Sequence, residues 1–430
     1  MKVKNLRLLH FRGIKDLYVD ITQNTTAFVG INGVGKSTIL DALAIALSQL
    51  MWRLNGSPQK SRQIAPDDIQ HRADFARIEL TIELQGVDVK WATVTNRKKG
   101  TYTDPLRKSD LDALNEMVRQ INIRSDGSES DEQSSCSLPL AVYYDVNRAA
   151  LDIPIRIREK LKNSSYEVYR DALDHGGADF KRFFIWFRNC EDYENEQRRD
   201  NPNFRDRSLE AVRSAISVFT AFENLRIRRS PLRMTVMKQG IEFNVSQLSD
   251  GERNMLALVG DLARRLSILN PILQEPNHGA GVVIIDEIDL HLHPGWQRDV
   301  VAKLEKTFPH CQLFISTHSP QVVGELQPES VMLLHDGRLL GHALRSIGLS
   351  SSEILEELMN GKARNVNFQE IVRNVERSIE DEEYDSARIG LASLRENFGN
   401  LPEVLRLEEN LEWFYPTQKI DSSIIDSGDE

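Results

Sequence analysis

At 430 residues the chain exceeds one typical domain, so two or three structural regions are expected. Apolar residues make up 40% and charged residues 27%, the balance of an ordinary soluble globular protein. The formal charge of −10 argues against a surface that coats nucleic acid broadly, while leaving room for a local basic patch.

No apolar run approaches the ~18 residues that a membrane-spanning helix needs. The start, MKVKNLRLLHFRG, is amphipathic and lacks the apolar core and small cleavage residues of a secretory signal. Cys136, Cys190 and Cys311 stand far apart without paired spacing, which fits a reducing, cytoplasmic setting and excludes a cysteine-built zinc knuckle.

In chain order, residues 1–85 read as two strands, a phosphate loop, a helix and another strand pair. Val3 to Leu8 alternates, Thr26 to Val29 is a short apolar run, and Ile78 to Leu84 alternates again. Between them, Gly30-Ile31-Asn32-Gly33-Val34-Gly35-Lys36-Ser37, followed by Thr38, matches the phosphate-loop pattern at every fixed position. Glycines let backbone amides turn inward around phosphates, and the helix that follows presents its positive end. Lys36 is expected to reach the β and γ oxygens of ATP, and the Ser37 hydroxyl to ligate Mg2+.

Residues 86–232 read as a mainly helical insertion. Ser125 to Ser137 is a polar stretch expected to be a mobile loop, and Phe180–Glu196 and Leu209–Asn224 are expected helices. Residues 233–348 return to sheet character. Here Leu248-Ser249-Asp250-Gly251-Glu252-Arg253 precedes a long apolar helix, with Ser249 as cap and Gly251 as a side-chain-free amide at a positive helix end. This is a second anion-binding end besides the phosphate loop, and two chains facing head to tail would each complete the other's nucleotide pocket.

Val282 to Ile285 is a buried strand that ends in Asp286 and Glu287, delivered to one rim of the sheet. Asp286 is expected in the Mg2+ shell, and Glu287 is suited to orienting or deprotonating the attacking water. Thr317-His318-Ser319 follows the strand Leu313–Ser316, so His318 sits at the neighbouring strand end, placed to donate to the γ-phosphate. His291 and His293 alternate nearby, but two histidines are too few for a closed zinc site. Residues 349–420 read as a helical C-terminal region, with helices expected at Glu353–Met359, Phe368–Glu383, Ser386–Phe398 and Pro402–Glu412; residues 421–430 have little to bury and read as a disordered tail.

The motif order resembles the ABC ATPases of the RecF, SMC and OLD group: Phe11-Arg12-Gly13, the phosphate loop, LSDGER, IIDEIDLHLHP and STHSP. The resemblance implies an α/β fold, an ABC-type ATPase head built on a P-loop sheet. It makes Ser249 and Gly251 signature residues beside Glu252, Asp289 the D-loop aspartate at the dimer seam, His318 the switch histidine and Gln70 the Q-loop glutamine. Asp250 and Glu252 depart from the LSGGQ consensus, as is common among non-transporter relatives. A narrower resemblance, carried by Leu138–Tyr144 with Asn147 and Arg148, Phe184–Arg188, Glu191, Glu194–Glu196, and Ile354–Met359 with Arg364, is to the ATPase subunits of Septu and retron-associated antiphage systems. That implies an ATPase governing a separate HNH nuclease, with DNA or retron nucleic acid as a further partner.

Long SMC-type arms are excluded, because the text between Lys36 and Leu248 lacks sustained heptads. A nuclease domain of its own is not expected after His318, since no strand-borne acidic cluster follows. The alternative reading is a RecF-like repair ATPase acting on DNA junctions. Arg226, Arg228, Arg229 and Arg233 form the one basic cluster bearing on it, with a solvated face as the plainer explanation.

Overall fold

The computed structural model describes residues 1–55, 61–126, 138–146, 168–169, 171–174, 180–359, 366–399 and 401–415. The amino-terminal half begins with β1 (Lys2–Phe11), β2 (Ile14–Asp20), β3 (Thr25–Val29), α1 (Lys36–Asn55), β4 (Phe75–Leu84), β5 (Val87–Asn96), α2 (Asp112–Asp126) and β6 (Leu140–Tyr144). Next come α3 (Phe180–Gln197), α4 (Arg207–Thr220), β7 (Glu223–Arg229), β8 (Leu232–Lys238), β9 (Ile241–Asn244) and α5 (Asp250–Leu269). Then follow β10 (Gly281–Ile285), α6 (Pro294–Thr307), β11 (Cys311–Thr317), α7 (Pro320–Val323), β12 (Val331–His335), β13 (Arg338–His342) and α8 (Ser351–Glu357). The last elements are α9 (Val366–Glu380), α10 (Tyr384–Phe398) and α11 (Pro402–Phe414).

Three sheets result. The largest has the order β13-β12-β3-β11-β10-β6, parallel except for β13. Its strands β3, β10, β11 and β6 are buried at every residue, as a sheet covered on both faces requires. An antiparallel sheet, β2-β1-β4-β5, lies across α1, which contacts β4 on one side and β11, β10 and β6 on the other. Trp91 of β5 is buried there and donates from Nε1 to the Ala46 carbonyl of α1 at 3.2 Å. The third sheet, β7-β8-β9, is antiparallel.

These pairings revise the expected boundaries. β5 pairs with β4 along its whole length, so a division at residue 85 would cut a hairpin. β6, inside the expected helical insertion, is a strand of the main sheet beside β10. The helix expected to run to Asn224 stops at Thr220, because Ala221 turns left-handed with φ 55° and the chain enters β7. A division after residue 232 would separate β7 from its partner β8. The Ser125–Ser137 loop lies largely outside the described residues, as do the 421–430 tail, Asn147, Arg148 and Arg364.

The chain divides into two compact units, Met1–Asn360 and Gly361–Glu430. α8 belongs to the first, with Ile354 in its main core, so the helical region expected from residue 349 begins inside that unit. In the second, α9, α10 and α11 share a core that includes Phe368, Val375, Leu394 and Leu407.

Candidate nucleotide site

The phosphate loop spans the turn from β3, a central strand, into α1. A Cβ on Gly30 would lie 2.5 Å from the Leu334 carbonyl oxygen of β12, and Gly33 and Gly35 hold φ of 81° and 106°, so the loop accepts glycine at all three. Asn32 and Gly33 are exposed on the loop, Ser37 is exposed in the first turn of α1, and Thr38 is half-buried. Lys36 is buried, and its Nζ donates to the carbonyls of Gly30 at 2.9 Å and Ile31 at 3.0 Å. Burial lowers the pKa of its ammonium, while Asp286, Glu287 and Asp289 act in the opposite direction. Those three carboxylates are therefore its electrostatic neighbours.

Asp286 and Glu287 follow β10 directly. The Asp286 amide donates to the Tyr144 carbonyl of β6 at 2.9 Å. Ser316 of β11 donates from its hydroxyl to the Asp286 carboxylate and accepts the Glu287 amide at 2.8 Å. Glu287 is half-buried and sits at φ 47°, a conformation that non-glycine residues adopt rarely and that clusters at functional sites. Asp289 accepts from the Thr317 hydroxyl at 2.6 Å and from the His318 amide at 3.4 Å, which ties its segment to the end of β11. His318 is half-buried; burial and then Lys36 lower its pKa below 6.5, against Asp289, Glu287 and Asp286. The structure thus gathers Lys36, Asp286, Glu287, Asp289 and His318 at one rim.

The LSDGER segment approaches that rim from another side. Ser249 caps α5 in a reciprocal box: Glu252 N donates to its Oγ at 3.4 Å, and Ser249 N and Oγ donate to Glu252 Oε2 at 3.0 and 2.9 Å. Lys238 Nζ takes the other Glu252 oxygen at 2.6 Å. Glu252, expected to meet nucleotide, is here committed to the cap. A Cβ on Gly251 would stand 2.5 Å from the His291 carbonyl oxygen, so the helix tip rests against the segment that follows Glu287. His293 caps α6, with Nδ1 accepting the Gly295 amide at 3.3 Å.

Gln70 lies against the β1–β2 turn, where Nε2 donates to the Gly13 carbonyl at 3.5 Å and Oε1 stands 3.3 Å from His10 Nδ1. β10 lies between β11 and β6, and β6 ends at Tyr144, with Asp145 next, rather than at Gln70. Ser316 and Thr317 stand in the sequence only as the start of STHSP, and nothing in its spacing marks their hydroxyls as partners of Asp286, Glu287 and Asp289. Arg12, part of Phe11-Arg12-Gly13, bridges Asp41 of α1 at 2.6 Å and Asp68 at 2.8 Å, and Arg62 joins Asp41 at 3.0 Å.

Among the described residues no group of three or more His, Cys, Asp or Glu converges on a metal position. Ser37 and Asp286 fit Mg2+, which takes few protein ligands and completes its shell from substrate phosphates and water.

Residues 25–324 match the family model described as "AAA domain, putative AbiEii toxin, Type IV TA system". The chain belongs to this family. With its complete phosphate loop, rim carboxylates and serine-capped helix it is an ABC-class ATPase, as the motif order implied. The chain is similar to the "Retron Ec83 probable ATPase" of Escherichia coli, 29% identical with 94% of this chain and 85% of the relative covered. It is also similar to the "Retron Vc95 probable ATPase" of Vibrio cholerae serotype O1 biovar El Tor, 28% identical over 86% of this chain and 82% of the relative. The Septu protein PtuA of Bacillus thuringiensis is 21% identical over 88% of this chain and 90% of its own length. Among the described residues no helix is long and apolar enough to cross a membrane.

Proposed function

We propose that two copies of this chain close head to tail around ATP and that this closure governs a partner nuclease in antiphage defence. The observation that carries the reading is the Ser249-capped tip of α5, a second anion-accepting helix end in a chain that already has a complete phosphate loop. The Ser249 hydroxyl is held by Glu252 within its own chain, and in the closed pair it would turn from that partner to the nucleotide of a twin. The names of the retron and Septu relatives support the defence setting. The nuclease, of HNH type, is the partner the narrower sequence resemblance implies, and this ATPase acts as its nucleotide-dependent switch.

In this reading Lys36 exchanges its two loop carbonyls for the β and γ oxygens of ATP, joined by the inward amides of the loop. Ser37 and Asp286 would hold Mg2+, which would offset the negative charge of the phosphate oxygens. Glu287 orients the attacking water, and its half-buried carboxylate can accept a proton from it. His318 donates to the γ-phosphate as a neutral ring. Asp289 links the dimer seam to the same histidine through the His318 amide.

The junction-acting alternative needs free basic charge. Arg226 and Arg228 instead share Glu242, and Arg229 is held by Glu191 and Asp192. Three of the cluster's four arginines are thus already committed to carboxylates, which lowers the net positive charge a phosphate backbone would meet there.

Mixing two inactive variants tests the shared site. Lys36→Ala lacks its own loop, and Ser249→Arg spoils the tip offered to a twin. Mixed, they form one site from an intact loop and an intact tip, so hydrolysis returns. Absence of any recovered activity over a range of mixing ratios would overturn the head-to-tail arrangement.

A further inference from the structure

About three turns below its serine cap, α5 carries a charged cluster sealed in the core. Asp261 accepts on Oδ1 from Arg264 (Nη2 at 2.6 Å, Nε at 3.2 Å) and on Oδ2 from Arg265 Nε at 2.6 Å. The same Oδ2 accepts the Tyr144 hydroxyl at 3.1 Å. All four residues are at most 2% exposed. Burial opposes charge on Asp261, but Arg265 and Arg264 hold its pKa low, so it remains an acceptor. Burial, reinforced by Asp261, drives the Tyr144 pKa far up, so the phenol remains a donor.

Tyr144 is also the last residue of β6, register partner of Ile285, and its carbonyl accepts the Asp286 amide at 2.9 Å. One residue therefore grips α5 by its hydroxyl and the first rim carboxylate by its backbone. A second connection runs in parallel, where Gly251 at the helix tip abuts the His291 carbonyl. The helix that offers Ser249 is thus joined to the Asp286–His291 segment at both its tip and its middle.

We propose that Tyr144, Asp261 and Arg265 are positioning residues for hydrolysis. They fix the rotation of α5 relative to the backbone that carries Asp286 and Glu287. Seating the serine-led tip on a nucleotide then brings both carboxylates into register. Apolar side chains of the same volume would fill this core at least as stably, so the cluster's contribution is orientation. Arg265 Nη1 also donates to the Val168 carbonyl, which ties that residue to the same cluster. The proposal rests on the chain hydrolysing ATP and on the shared-site reading of Ser249.

Tyr144→Phe removes one hydroxyl and leaves the ring that fills the core. Two measurements read it: steady-state ATP hydrolysis, and hydrogen–deuterium exchange of the Ile284–Leu290 segment in the full-length protein without nucleotide. The expected result is a fall in kcat of about tenfold, the size of losing one hydrogen bond to a charged group, with KM for ATP unchanged. Exchange in Ile284–Leu290 quickens while the melting temperature stays within a few degrees of the parent. Unchanged exchange overturns the proposal, and so does an effect confined to KM. The exchange arm needs no turnover, so it decides the positioning role even if the unaltered protein fails to hydrolyse ATP, a result that would instead sink the ATPase reading.

Discussion

Gly251 and His291 are in backbone contact: a methyl group on Gly251 would lie 2.5 Å from the His291 carbonyl oxygen. The glycine of the LSDGER segment is therefore set by a neighbour within its own chain as well as by any nucleotide it meets. Gly251→Ala must push the α5 tip away from the segment that follows Glu287, at a cost of about 1–3 kcal/mol from overpacking. Calorimetry should show that loss. Nucleotide affinity should stay near the parental value, because no phosphate-loop residue is touched, while hydrolysis falls. Parental hydrolysis in a folded Gly251→Ala protein would remove the seam from the account.

Lys36→Ala deletes the ammonium that now bridges the Gly30 and Ile31 carbonyls. Loss of that charge at the triphosphate is expected to abolish nucleotide binding, as read by titration with a fluorescent ATP analogue. Unchanged affinity would refute the assignment of the loop.

Ser316→Ala strips the Asp286 carboxylate of a donor and the Glu287 amide of its acceptor in one change. Supporting residues of this kind typically set metal affinity or activity by about 10–100-fold. Hydrolysis should fall within that range and the Mg2+ concentration for half-maximal rate should rise. An unaltered Mg2+ dependence would show that Ser316 merely fills the strand.

The His318 ring carries a pH signature. Its folded pKa lies below 6.5, lowered by burial and by Lys36, so the unfolded chain takes up the proton first as pH falls. The resulting stability is present above pH 6.5 and is lost as pH drops through 6.5 toward the folded value. Melting temperatures at about pH 7.5 and pH 5.5 should differ less for His318→Gln than for the parent. An equal or larger difference in the variant would reverse the sign argued here.

Local structure was legible in the sequence where one short segment carries it. The phosphate loop, the Asp286–Glu287 strand end and the Ser249 cap each occupy fewer than ten consecutive residues, and each lies where its spacing places it. β6 was harder: a fully buried five-residue strand has no alternation to separate it from a helix turn, and it follows a long polar stretch. β5 falls beyond the boundary expected at residue 85 because its exposed and polar positions begin just after a glycine turn. Ser316 and Thr317 are hydroxyls within an otherwise apolar run, and only the neighbouring strand gives them partners. Tyr144 and Asp261 stand 117 residues apart, so nothing short of the fold could join them.

Glu287→Gln gives the most direct test of two copies closing on ATP. The amide keeps the shape of the side chain but cannot take a proton from water, so ATP persists in the closed state. Light scattering on this variant should report a monomer-to-dimer increase in mass on adding ATP and Mg2+, and the increase should vanish when Ser249→Arg is added. A mass indifferent to ATP, in protein shown to have bound it, would contradict the shared nucleotide site.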